Sequence, residues 1–325
     1  MAALKAIKSK IKSVEKTQKV TKAMEAVSAA KMRKAQQRAL SGRAYARAAA
    51  SILARTSGSK DLASHPLMRG AENVSSLPAG HRGDGREDTF SAPKTALYIV
   101  ITSDKGLAGA LNSAVLRGSA ADIANMGLNP SQVEVVAVGR KANDFFTMRG
   151  FTISAFYPNT DQITPELIDT LVSGAAKRFT LGEVEVVKIV YQNFVSTFEQ
   201  RPTIHTVFPL SLEELQEVVN DILPVRGVYA AQSDTNSKQS VYTIEPSEGE
   251  VLSAILPRLA SIFVYHALLE TQASEHSARM VAMKSASDKA GEMRGSLTLK
   301  FNKARQAAIT REVSEITGGM EAMLA

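Results

Sequence analysis

Apolar and polar positions along the chain fall into three regimes. From Ser247 onward, Leu252, Ile255, Leu259, Ile262, His266 and Leu269 are spaced three, four, three, four, three. That spacing draws one stripe down a helix. Ser247 with Glu250, directly after Pro246, forms an S-x-x-E start signal. The middle of this segment is more polar and alanine-rich. The stripe returns at Ile309, Val313, Ile316, Met320 and Met323, a heptad seam that calls for a partner helix. One helix over 247–325 is therefore expected. At 1.5 Å per residue it is ~110 Å long, too long to lie wholly within an ordinary globular domain.

Residues 1–56 give the second regime. No proline precedes Pro66, and Leu4, Ile7, Ile11 and Val14 repeat at three, four, three. The seam continues less cleanly through Val20, Met24, Val27 and Ala35. Beyond that the composition favours helix but is poor in core formers. If the two terminal helices run antiparallel, their seams pair into a coiled coil.

The third regime lies between them. Residues 94–246 alternate strand and helix signals. Runs at 95–102, 133–138, 151–156, 184–192 and 203–208 read as strands. Helices are expected at 106–126, 139–148 and 164–181, the last opened by a Thr164 cap and Pro165. The rhythm predicts a central doubly wound, Rossmann-like α/β domain. Residues 226–239 read as loop and Val241–Ile244 as a closing edge strand. Residues 57–93 carry five glycines and three prolines without periodicity and read as a flexible loop. The Arg82-Gly83-Asp84 triplet inside that loop is read as chance.

Composition narrows the class. Hydrophobic residues are 44% and charged residues 22% of 325, ordinary for a water-soluble fold. No run of 18 apolar residues occurs, so no membrane span is expected. Met1 leads straight into a lysine-rich periodic segment, which predicts no signal peptide. Cysteine is absent, which excludes disulfides and thiolate metal ligands. Tryptophan is also absent, and aromatics are 6%, a poor basis for base stacking.

The net charge of +7 is uneven. Residues 1–60 hold 15 Lys/Arg against Glu15 and Glu25, a net of +13, and the remainder nets −6. The basic helix suits an acidic partner surface, a nucleic acid or an anionic membrane. Tyr45 is its only aromatic, so a solvated coiled-coil face competes with a membrane-surface helix.

Candidate chemistry is sparse. The stretch Ser103–Gly109 follows the first strand and opens a helix, where doubly wound folds bind phosphate. It matches neither G-x-G-x-x-G nor the P-loop. A tight turn with Ser103 or Asp104 capping the helix is the simpler reading. The five histidines lack metal spacing, and His266 and His276 stand ten apart. No catalytic constellation and no cofactor site emerges. Asn302–Glu315 sets Arg305, Gln306, Thr310, Arg311 and Glu312 beside the last seam. Periodicity does not decide between a solvated face and a contact strip.

Three segments carry a family resemblance: Ile7–Gln36, with TQKVTKAMEAVSAAKMRKAQ; Thr102–Asn112, with TSDKGLAGALN; and Ser274–Ala290 running into Asn302–Gly319, with NKARQAAITREVSEITGG. The sequence resembles gamma subunits of F-type ATP synthases over nearly its whole length. Ile309, Thr310, Glu312, Glu315 and Gly319 match the family signature, and Met320 stands where alanine is usual. The region 70–92 is longer than the family norm, and the cysteine pair of chloroplast members is missing.

The resemblance implies a non-catalytic central-stalk rotor. Its partners would be the alpha and beta subunits of the head, epsilon, and the c-ring of a proton-translocating membrane sector. It would lie peripherally on the cytoplasmic face of a bacterial inner membrane and bind no nucleic acid. Lys19, Lys22, Met24, Lys31, Arg33 and Lys34 would face an acidic beta-subunit loop. Arg305, Gln306, Thr310 and Glu312 would meet the head, and Met320, Met323 and Leu324 would form the shaft tip. Asp104, Lys105, Gly106, Gly109 and Asn112 would form a turn of the foot. Without the resemblance, a coiled-coil interaction protein binding an acidic partner is the alternative.

Overall fold

The computed structural model describes residues 2–56, 65–68, 95–160, 163–210 and 247–324. Most of the expected loop over 57–93, the loop over 226–239 and the edge strand Val241–Ile244 lie outside the described residues. The chain divides into two units. One is Met1–Ala30 with Arg279–Ala325, and the other is Lys31–Ala278.

The larger unit is built on a five-stranded sheet. Its strands are β1 (Ala96–Ile101), β2 (Val133–Val138), β3 (Thr152–Tyr157), β4 (Val186–Phe194) and β5 (Gln200–Phe208). The order is β3-β2-β1-β4-β5. The first four strands run parallel, and β5 returns antiparallel beside β4. The apolar run of β1 is buried along its full length because both faces of the sheet are covered. Tyr98 and Val100 point into a layer completed by α2 (Leu111–Asn125) and α3 (Arg140–Thr147). Leu97, Ile99 and Ile101 point into the opposite layer, made by α4 (Pro165–Thr180) and the first third of α5 (Glu248–Leu324).

Ion pairs tie helices to this sheet. Asp122 on α2 accepts from Lys188 at 2.9 Å and from the Tyr98 hydroxyl at 2.6 Å. Burial, then the Asp122 carboxylate, pushes the Tyr98 phenol well above its usual range. Arg178 at the end of α4 grips Glu134 of β2 through two bonds, at 2.6 and 2.8 Å, and reaches Glu183 at 3.1 Å. The Glu134 bonds hold the guanidinium above its ordinary pKa.

Within α5, the first stripe is buried in the sheet unit rather than forming a narrow seam. Leu252, Leu256, Leu259, Ala260, Phe263, Val264 and Leu268 all enter the core, and every residue from His266 to Ser277 is buried. A stripe broad enough to face a sheet on one side and neighbours on the other is what an interior helix needs. One window of α5 is apolar enough to resemble a membrane span, but half of it is buried within the protein. Ser247 caps α5 by accepting the Glu250 amide at 3.3 Å, and Pro257 is accommodated near the start of the helix.

The smaller unit is an antiparallel pair formed by the first part of α1 (Ala2–Thr56) and the last part of α5. Gly291 lies against Gln18, whose side-chain nitrogen would stand 2.9 Å from a Cβ added at that glycine, and Arg294 acts electrostatically on Glu15. Numbers therefore rise on one helix as they fall on the other.

The α1 seam departs from the sequence expectation. Leu4, Ile7, Ile11 and Val14 are half-buried as expected, but the inward positions then run through Gln18, Thr21, Glu25 and Ser28. Thr21 and Ser28 are 8% and 3% exposed, while Val20 and Val27 are 58% and 57% exposed. Geometry explains the correction. The three-four alternation set by Leu4–Val14 continues unbroken through 18, 21, 25 and 28, and moving to Val20 would require a skipped residue. Phase outweighed hydrophobicity.

A second correction concerns the far end of α5. Leu297, Phe301, Ala304 and Ala308 are the last half-buried positions. Ile309, Val313, Ile316, Met320 and Met323 are 52–89% exposed. The antiparallel register brings the start of α1 opposite about residue 307, so no described α1 residue reaches this seam.

Candidate functional site

Two surfaces correspond to the residues singled out in the sequence. On the shaft unit, Lys19 and Lys22 are exposed and Met24 is half-buried. Lys19 pairs with Glu15 at 3.0 Å, one helical turn away. That bond, and the charge of Lys19, hold the Glu15 carboxyl below its ordinary range. At the other end, Arg305, Gln306, Thr310 and Glu312 are exposed. The Thr310 hydroxyl donates back to the Gln306 carbonyl at 3.0 Å, one turn earlier. Met320 and Met323 are exposed, and the Leu324 side chain lies outside the described residues. Lys31, Arg33 and Lys34 are also exposed, but they belong to the sheet unit.

The second surface is the turn after β1. It holds Asp104, Lys105, Gly106, Gly109 and Asn112 together, and its bonds show what these residue types are for. Asn112 accepts the Ser103 amide at 3.0 Å and donates to the Ser103 hydroxyl at 2.8 Å. The Ser103 hydroxyl donates to the Lys105 carbonyl at 2.6 Å. Leu107 and Gly109 adopt positive φ, at 64° and 59°, which postpones the helix to Leu111 rather than Gly106. Lys105, Gly106 and Leu107 are exposed at its crest.

Capping does occur here, but on a different helix. Asp104 accepts the Arg140 amide at 2.8 Å, and the Thr102 hydroxyl accepts the Ala142 amide at 2.9 Å. Both belong to the first turn of α3, while α2 has no side-chain cap. The loop therefore occupies the N-terminus of α3 with its own carboxylate and hydroxyl. Gly139 completes the closure. A Cβ there would stand 2.2 Å from the Thr102 carbonyl oxygen.

Among the described residues no cluster of three His, Asp or Glu side chains is placed to hold a metal. His65 contacts Ser253 at 3.2 Å, and its partial burial lowers its pKa. His205 stacks on Tyr191, and His266 lies 3.3 Å from Glu270. His81 lies outside the described residues.

Sequence reasoning missed the polar side of α5 between Glu270 and Ser277. Side chains of this stretch bond backbone groups of the sheet unit. Their signal was present as polar residues at intervals of one, four and seven inside an otherwise apolar helix.

Known proteins agree over the full length. A family model described as ATP synthase matches residues 3–323. ATP synthase gamma chains from Pelotomaculum thermopropionicum and Phenylobacterium zucineum are 36% and 35% identical, each covering 99% of this chain and 100% of the relative. That from Symbiobacterium thermophilum is 37% identical over 98% of both. A chain in the Euglena gracilis mitochondrial ATP synthase superposes with a TM-score of 0.62 at 17% identity, over 99% of this chain and 95% of that one. A central-stalk chain from Tetrahymena thermophila gives 0.53 at 22%, over 82% and 99%. The structural likenesses speak for the fold, and the sequence matches speak for the family. A family model over nearly the whole chain and relatives matched end to end, on a sheet domain with one long helix packed across one face, place the chain in the ATP synthase gamma chain family.

Proposed function

We propose that this chain is the central-stalk rotor of a proton-translocating F-type ATP synthase. The observation that carries the reading is the free end of α5. Ile309, Val313, Ile316, Met320 and Met323 repeat at four and three along a single exposed helix. An isolated helix of that length is marginal in water, and a continuous apolar stripe on it calls for an enclosing partner. A sleeve formed by the alpha and beta subunits of the head supplies one.

In this reading the chain performs no bond chemistry. It carries torque between the c-ring and the head, and its asymmetry makes the catalytic sites unequal. Epsilon and the c-ring sit at the sheet unit. Lys19, Lys22, Lys31, Arg33 and Lys34 face the acidic loops of the beta subunits. Each exposed ion pair is worth only ~0–1 kcal/mol, so these contacts attract without locking rotation. Arg305, Gln306, Thr310 and Glu312 meet the head, and the Asp104–Asn112 turn serves the foot. The complex lies on the cytoplasmic face of a bacterial inner membrane, with this chain peripheral to it.

Co-expression with the alpha and beta subunits of a bacterial ATP synthase tests the reading. A stable complex whose ATP hydrolysis requires this chain, with no turnover by the chain alone, is the expected result. Failure to assemble, or turnover by the isolated chain, refutes it. Salt-dependent capture of a different acidic protein would favour the interaction-protein alternative.

A further inference from the structure

The shaft helix is not merely packed against the sheet; it is bonded to it within eight consecutive residues. Glu270 accepts the Phe194 amide at 2.9 Å, and the Thr271 hydroxyl accepts the Gln192 amide at 3.3 Å. Ser274 donates to the Gln192 carbonyl at 3.2 Å, and Ser277 donates to the Thr197 carbonyl at 2.7 Å. These four side chains, at i, i+1, i+4 and i+7, line one side of α5. Gln272 donates to the Thr160 carbonyl at 2.6 Å, in the loop after β3. That loop is itself tied to the end of β1, because Asn159 donates to the Thr102 carbonyl at 2.8 Å.

Three properties separate this contact from ordinary core packing. All its α5 members are buried. The groups they bond across this contact are backbone groups at the end of β4, in the β4–β5 hairpin and in the loop after β3, so the bonds report position along and around the helix. And the stretch ends one residue before α5 passes from the sheet unit into the shaft unit. Apolar burial is non-directional and tolerates sliding and rotation of a smooth helix. Directional bonds in a dry site do not.

We propose that Glu270, Thr271, Gln272, Ser274 and Ser277 form a collar that locks α5 in rotation to the sheet unit, so that torque applied to the foot enters the shaft here. The proposal rests on the rotor reading. These are positioning residues, and they touch neither nucleotide nor proton.

The test uses the complete ATP synthase carrying this chain, in inverted membrane vesicles. Thr271→Val with Ser274→Ala removes two of the bonds at nearly constant volume. The expected result is a several-fold fall in protons pumped per ATP hydrolysed, with hydrolysis itself retained. Since the chain has no cysteine, Ser277→Cys with Thr197→Cys can then be added to the same background and joined as a disulfide by an added oxidant, which takes up the two electrons the thiols release. Cross-linking should restore coupling, and reduction should abolish it again. A domain that is simply destabilised would not be rescued so selectively. As a control, Arg178→Met weakens the same unit elsewhere and should leave the pumping ratio unchanged.

A doubly substituted chain that pumps like the wild type overturns the collar, as does a loss of coupling that cross-linking does not repair. If the wild-type chain itself fails to couple in the complex, the rotor reading falls and takes the collar with it. The two failures are thus distinguishable.

Discussion

Adjacent residues on α1 offer a sharp test of the shaft. Thr21 is 8% exposed and Val20 is 58% exposed, although hydrophobicity alone would reverse them. Lysine placed at each position in turn separates phase from composition. At position 20 the new side chain points to water, and lysine is the better helix former. The cost should stay within ~0.5 kcal/mol. At position 21 the threonine hydroxyl is satisfied by the Thr17 and Gln18 carbonyls at 3.0 and 3.1 Å, and its methyl group fills the seam. A lysine there loses that packing and must bring an ammonium out of the seam. Snorkelling relieves part of the penalty, leaving about 2–4 kcal/mol. For a unit of this size that lowers the melting temperature by roughly 10 °C or more. Far-UV circular dichroism of the purified chain follows the loss of helix, and hydrogen exchange over residues 4–28 assigns it to the shaft. If Val20→Lys proves as costly as Thr21→Lys, the seam has been misplaced and α1 is rotated from the arrangement described.

Further outcomes follow from other sites. Gly139→Ala sets a Cβ 2.2 Å from the Thr102 carbonyl at a φ of 97° and should cost more than ~3 kcal/mol in urea unfolding. Gly150→Ala, at a φ of 76° with open space around it, should cost only ~1–2 kcal/mol. The Tyr98 phenol is shifted upward by burial, so the folded state holds its proton more tightly than the unfolded chain does. That stability is fully present below about pH 10 and declines as pH rises further. Tyr98→Phe should flatten the alkaline limb of a stability–pH curve. Reversing charge at exposed Lys22 and Arg33 should weaken coupling in inverted vesicles while changing unfolding free energy by less than ~1 kcal/mol. Normal coupling would remove the electrostatic bearing from the rotor account.

The sequence alone established much of this protein. Uninterrupted helix formers without proline produced α1, and the Thr164-Pro165 start opens α4 with the Leu167 amide bonded to Thr164 at 3.3 Å. The apolar runs of β1, β2 and β4 became buried strands because local composition and sheet burial agree there. The stretch Ser103–Gly109 was legible as a tight turn, and three segments disclosed the family.

Tertiary structure decided the rest, because burial depends on what lies opposite. Hydrophobicity does not distinguish Thr21 from Val20 as the inward residue; the phase carried on from Leu4–Val14 and the register against the partner helix at Gly291 do. The Ile309–Met323 seam reads as a pairing face in isolation, yet the described α1 ends before it. Asp104 reads as a cap for the helix that follows it, yet it caps α3, which only the parallel pairing of β1 with β2 brings alongside. The polar residues Glu270–Ser277 look like a weak stretch of seam until the sheet supplies backbone groups for their side chains. Local propensity set the elements, and long-range partners set which face of each element matters.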